Sequence, residues 1–144
     1  MPRLTSTMSA RVQRHDPDVG LSTLLFADGE LRVPSIGAAV GAPVSIEIDA
    51  RDVSVALTRP MDVSITNRLP GTIVEVERLQ APYARVTFDL GSTRIHALVT
   101  WESVNRLALE PGLRAWAMIK TVAIGREAVR ETEAPSPRPW PPPR

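Results

Sequence analysis

The stretch GLRAWAMIKT, Gly112–Thr121, decides how the chain folds. A glycine opens an apolar run that continues through VAI to Ile124. Read as a strand, its side chains alternate between two faces. Trp116, Met118, Lys120, Val122 and Ile124 share one face, and Ala115, Ala117, Ile119, Thr121 and Ala123 share the other. The chain contains a counterpart, GAPVSIEIDA at Gly41–Ala50, which is also a glycine followed by a long strand-like run. Moving outward from each run, the same order of events appears. A strand, a polar loop, a second strand, a glycine hairpin, a third strand and a connection precede the long last strand.

In the first half the strand-like runs are SARVQRH, STLLFAD, ELRVPS and PVSIEIDARDVSVAL. In the second they are GTIVEVERL, YARVTFDL, TRIHALVT and RAWAMIKTVAI. Their Val, Ile, Thr and Phe content and polar alternation are those of half-buried strands. ADGEL (Ala27–Leu31) and DLGST (Asp89–Thr93) supply the hairpin turns. This internal repeat predicts an all-β protein of two tandem small barrel units, 1–61 and 62–125. The second half carries an extra piece, WESVNRLALEP, which predicts one short helix. Thr100 caps it, Glu102 suits its positive end, and Val104 and Leu107 are spaced for one buried face. The last nineteen residues, 126–144, hold six of the fourteen prolines and predict a disordered tail. A proline-rich ligand for SH3-like or WW-like domains is the alternative reading of that tail.

The bulk composition narrows the function. A chain of 144 residues with 43% hydrophobic and 23% charged residues is a soluble globular one. Seventeen basic residues against 16 acidic ones, well mixed, give +1 and predict no nucleic-acid partner. The 4% aromatic content also lacks the stacking platforms of an OB-fold nucleic-acid binder. The absence of cysteine removes disulfide scaffolds and thiolate metal sites. With no secretory signal and no long apolar run, the expected location is the cytoplasm.

The usual catalytic constellations are missing, so no enzyme is expected. His15 and His96 lie one in each half without metal-pair spacing, and His15 falls in a turn-like RHDPD. No P-loop precedes Lys120, so no nucleotide is expected, and Ser64 and Ser103 lack a glycine elbow. The one dense polar cluster is VSITNRLPG, Val63–Gly71, where Ser64, Thr66, Asn67 and Arg68 come together before a strand. Its plain reading is a solvated turn whose side chains bond their own backbone.

Two longer stretches carry a resemblance. SITNRLPGTIVEVE, ARVTFDLGSTRIHALVTWESVNRLALEPG and LRAWAMIKTVAI closely resemble the Mop/TOBE, or molybdenum-pterin-binding, domain. The part before them, including ARDVSVAL, is similar to the segment preceding that domain in the ATPase subunit of molybdate ABC importers. Together the likeness covers about Ala10 to Ile124. It implies an OB-like β-barrel that binds molybdate or tungstate between the subunits of a homo-oligomer, with transporter subunits as further partners. A transporter would hold the module at the inner face of the membrane. Carried over residue by residue, the likeness implicates Ser64, Asn67, Lys120 and Thr121. Thr66 stands where the family usually has arginine, and Arg68 is the nearest cation in sequence.

Such a role explains why one lysine is kept among sixteen arginines. A tetrahedral dianion offers only acceptors, and a point charge on a long stem reaches it where a flat guanidinium fork does not. An interface would bury Trp116 and Met118 while the anion met the ammonium. The alternative is a barrel used only to dimerise, its anion site decayed and Lys120 snorkelling at the rim.

Overall fold

A computed structural model describes residues 4–132. The first half supplies β1 (Thr5–Asp16), β2 (Leu21–Phe26), β3 (Gly29–Pro34), β4 (Pro43–Asp49) and β5 (Val53–Ala56). The second supplies β6 (Asn67–Arg78), β7 (Tyr83–Asp89), β8 (Arg94–Thr100), α1 (Trp101–Leu107), β9 (Arg114–Ile119) and β10 (Val129–Glu131). These strands make two five-stranded antiparallel sheets, ordered β10-β4-β1-β2-β3 and β5-β9-β6-β7-β8. The fold is all-β and OB-like, with one short α-helix, as the alternating runs predict. In β1 the alternation turns Ser6, Met8, Ala10 and Val12 inward. A single core joins both sheets, with Leu24, Ile46, Ile73 and Phe88 fully buried. Each such side chain contributes roughly 1.5–3 kcal/mol relative to exposure.

The repeat is visible in the hydrogen bonding. β1 is irregular between Val12 and Arg14, and β6 between Ile73 and Glu75. At each irregularity the chain before the long strand returns to bond the bulge. Gly41 N–H donates to Val12 O at 2.8 Å, and Gly112 N–H donates to Ile73 O at 2.7 Å. Both glycines have left-handed φ, +89° and +93°, which other residues adopt only with strain. This is why a glycine precedes each long strand. Val12 and Ile73 are thus equivalent, and the registers extend the match to Ser6 with Asn67 and Ile48 with Ile119.

The halves do not keep to a boundary between 61 and 62. The run PVSIEIDARDVSVAL, read as one strand, breaks after Asp49, whose carboxylate accepts from the Arg51 amide at 2.9 Å. A 3-10 turn over Ala50–Asp52 redirects the chain, and β5 joins the second sheet beside β9. Residues 126–132, placed with the tail by their composition, instead return to the first sheet. There β10 lies along β4, with Val129 opposite Ile46. Each half therefore lends its last strand to the other, at the same place in the sheet order. Backbone groups on β4 and β9 that would face solvent are paired by this exchange. Residues 133–144, which carry most of the predicted tail, lie outside the described residues. The helix sits as expected, with Thr100 Oγ1 accepting from Ser103 N–H at 3.0 Å and Val104 buried.

Candidate functional site

Strand β9 ends one residue before Lys120. The alternation proposed from sequence holds through Ile119, with Ala115, Ala117 and Ile119 buried and Trp116 and Met118 half-buried on the outer face. Beyond it the single-strand reading fails, because Thr121–Ala123 form a 3-10 turn. The turn throws Val122 into solvent at 83% exposure and sends Ile124 into the core. Lys120 keeps an extended backbone and is exposed at the rim of the outer face.

The polar cluster before β6 divides between the two faces of the sheet. Asn67 pairs with Ile119 and points inward, 4% exposed. Its Oδ1 accepts from the Arg32 amide at 2.7 Å, and its Nδ2 donates to Arg32 O at 2.9 Å. The same Nδ2 lies 3.5 Å from Thr121 Oγ1. Asn67 thus clamps β3 of the first sheet to β6 of the second. Its pseudo-equivalent Ser6 does the reciprocal work, its Oγ accepting from the His96 amide of β8 at 3.2 Å. Asn67 and Thr121 form one inward pair at the junction of the halves, and Thr121 is half-buried.

Thr66, Arg68 and Lys120 face outward. The register that sets Arg68 opposite Met118 brings Thr66 toward Lys120 at the strand ends. Arg68 Nη1 donates to Pro60 O at 2.9 Å, holding the β5–β6 linker down on the sheet. That bond creates a cavity of about 130 Å³ lined by Arg59, Pro60, Thr66, Arg68 and Trp116. No carboxylate among the described residues lines it. Among the described residues, the ion pairs involve none of Arg59, Arg68 and Lys120. Such an arrangement can receive an anion through charge and through N–H and O–H donors. Ser64 stands exposed in a bend three residues before β6 and does not line this cavity. The sequence reading missed Arg59, whose only signal was its place before Pro60 in a linker between strands.

Apolar residues surround this face. Leu57, Met61 and Val63 on the linker are 38%, 71% and 44% exposed, beside half-buried Trp116 and Met118. The two histidines are tied down elsewhere. His15 lies in β1, not in a turn, bonding Ser22 Oγ and Ala38 O at 2.7 Å each. His96 Nδ1 meets Thr87 Oγ1 at 2.9 Å, and burial, with the Arg85 guanidinium adding to it, lowers its pKa. Among the described residues, no group of His, Cys, Asp or Glu is placed to hold a metal ion, and no helix is long and apolar enough to cross a membrane.

Comparison with known proteins places these features in a family context. The TOBE domain family matches residues 63–124, which contain every site residue proposed from sequence. The molybdenum import ATP-binding protein ModC of Mesorhizobium japonicum is 37% identical over 121 residues, 84% of this chain and 33% of that protein. ModC of Paramagnetospirillum magneticum is 36% identical over 89% of this chain and 35% of its own length. The chain therefore spans about a third of the curated relatives it matches. Among solved structures, the cytoplasmic molybdate-binding protein ModG, in a form with molybdate bound, matches with a TM-score of 0.69. It is 26% identical, and the match covers 80% of this chain and 89% of ModG.

Proposed function

Residues 63–124 belong to the TOBE domain family, and from that premise we propose that the chain is a molybdate- or tungstate-binding module. It serves as the regulatory part of a molybdate ABC import system or as a free-standing binder in the cytoplasm. One observation carries the reading. Thr66, Arg68 and Lys120 face outward together at the end of β6 and β9, and among the described residues no ion pair involves either cation. The likeness to ModG with molybdate bound, and to the ModC proteins, supports the choice of anion.

The chemistry is sufficient. Each hydrogen bond to a charged group contributes roughly 1.5–3 kcal/mol. Four or five such bonds exceed the roughly 8 kcal/mol of a micromolar site, leaving room for desolvation costs. Lys120, Arg68, the Thr66 hydroxyl and nearby backbone amides provide that number, and Ser64 adds a donor if a partner orders its bend. Asn67 and Thr121 act behind the site, holding the strand ends in place. Exposed Leu57, Met61 and Val63 beside Trp116 and Met118 support a homo-oligomer formed on this face, with the anion at the subunit interface. No nucleotide takes part.

A second reading has its own observation. Because the Asn67 amide is occupied by Arg32 and Thr66 replaces an arginine, the barrel could serve only to assemble, its anion site decayed. Calorimetric titration with molybdate, tungstate and sulfate, alongside a light-scattering mass, separates the two. Micromolar binding of the first two and poor binding of sulfate are expected. A folded oligomer that gives no heat with any anion would establish the assembly module instead.

A further inference from the structure

Resting on that anion-binding reading, we infer that Arg59, which lies outside the TOBE match, is a ligand of the bound oxyanion and supplies the charge that Thr66 lacks. Arg59 lies in the linker that leads into β6, and it meets Thr66, Arg68 and, from β9, Trp116 around one cavity of about 130 Å³. Two features bring it there. Pro60 is buried against the sheet, and its carbonyl accepts from Arg68 Nη1 at 2.9 Å. The residue before a proline is confined to extended backbone, so Arg59 leaves that anchor with little freedom of direction. Its ordering on binding therefore costs less entropy than that of a cation on a free loop.

The charges match the ligand. Two arginines line the cavity and, among the described residues, no carboxylate does, so the lining carries two positive charges against the two negative charges of a tetrahedral oxyanion. Arg68 uses one of its five N–H groups on Pro60, leaving the others for oxygen acceptors. The Thr66 hydroxyl is a further donor, and Lys120, outside the cavity lining, stands exposed one residue past Ile119, the partner of Asn67. The site thus draws its cations from three places: the linker, β6 and the end of β9. A bound dianion would fasten the 57–66 linker to the sheet and cover the face of Trp116, making indole emission a reporter.

The test is calorimetric titration of the full chain with sodium molybdate, with sulfate and phosphate as competitors, for the parent protein, Arg59→Ala and Arg59→Lys. Arg59 is exposed and, among the described residues, makes no side-chain hydrogen bond, so circular dichroism of both variants should match the parent. About a tenfold or greater loss of molybdate affinity in Arg59→Ala, roughly 1.4 kcal/mol, is expected. Arg59→Lys should recover part of it. Quenching or shift of indole emission on molybdate addition should weaken in parallel. Parent binding with undiminished affinity in Arg59→Ala would overturn the assignment of Arg59 while leaving the anion-binding reading intact. A folded parent protein that binds no oxyanion would overturn both. Equal affinity for phosphate and molybdate would make the cavity a general phosphate-class site and reject its selectivity.

Discussion

In β4 Ile48 is followed by Asp49, the strand's last residue, and Ala50; after Ile119 at the end of β9 come Lys120 and Thr121. Ile48 and Ile119 hold the same place, opposite Ser6 and Asn67. The two halves share bulges, glycines, hairpins and lent strands, yet their charges at this position are opposite. In the first half a cavity of about 350 Å³ is lined by Glu47, Asp49, Asp52 and Glu127 against Arg51 and Arg130. Burial, and then the nearby Asp49 carboxylate, push the Asp52 pKa up, with Arg51 opposing. In the second half the corresponding outer face has Arg59, Arg68 and Lys120. A duplicated backbone therefore provides two similar surfaces, and side-chain charge makes only the second suited to the proposed anion.

The largest expected effect comes from copying the first half into the second. Lys120→Asp replaces a cation by the anion found at its pseudo-equivalent. Loss of a charged hydrogen bond, added to repulsion of a dianion, should lower molybdate affinity by about 100-fold or more. Because Lys120 is exposed, the urea midpoint should stay nearly unchanged. Calorimetry reads the first quantity and denaturation the second. Retained affinity would mean that the anion sits away from this rim.

The clamps between the halves should show a smaller but unequal effect. Asn67→Ala strips both the N–H and the C=O of half-buried Arg32 of their side-chain partner, which should cost about 2 kcal/mol. Ser6→Ala removes one acceptor, at 3.2 Å from the His96 amide, and should cost about 1 kcal/mol. Urea denaturation of the two variants gives the ratio directly. A cost for Asn67→Ala no larger than that for Ser6→Ala would show that the Asn67 amide is not a structural clamp and is free to serve an anion.

That division of labour explains what could be read without the structure. The repeat was legible because bulge-facing glycines and period-2 alternation are local signals, present at Gly41 and Gly112 and along β1 and β4. Thr100 as a helix cap is local too. The exchange of β5 and β10 was not legible, since Val53–Ala56 looks like a strand whichever sheet receives it, and Val129–Glu131 is too short to stand out beside proline. Among the candidate ligands, spacing alone put Ser64, Thr66, Asn67 and Arg68 in one cluster. A strand separates neighbours onto opposite faces, so Asn67 went inward to Arg32 while Thr66 and Arg68 went outward. Arg59 reaches the cavity through a contact made by Pro60, which no local pattern encodes.

The smallest expected effect lies where the halves differ in a titrating group. Thr23 Oγ1 accepts from Arg32 at 2.9 Å, and its pseudo-equivalent Thr87 bonds His96 at the same distance. Arg32 also pairs with Asp16, whose pKa is lowered chiefly by that hydrogen bond. His96 has its pKa lowered from 6.5 by burial first and by Arg85 second, with Glu75 opposing. The folded state thus prefers neutral His96, and the unfolded chain binds the proton more readily. Stability from this group is complete above about pH 6.5 and falls as pH drops from there toward the lowered folded-state value, below which it levels off. Thermal denaturation between pH 7.5 and 5 should show a small decline that His96→Gln removes. A decline unchanged in that variant would show that His96 is not its source; Asp52 in the first-half cavity acts in the opposite sense, because a carboxyl with a raised folded-state pKa favours the fold as pH falls.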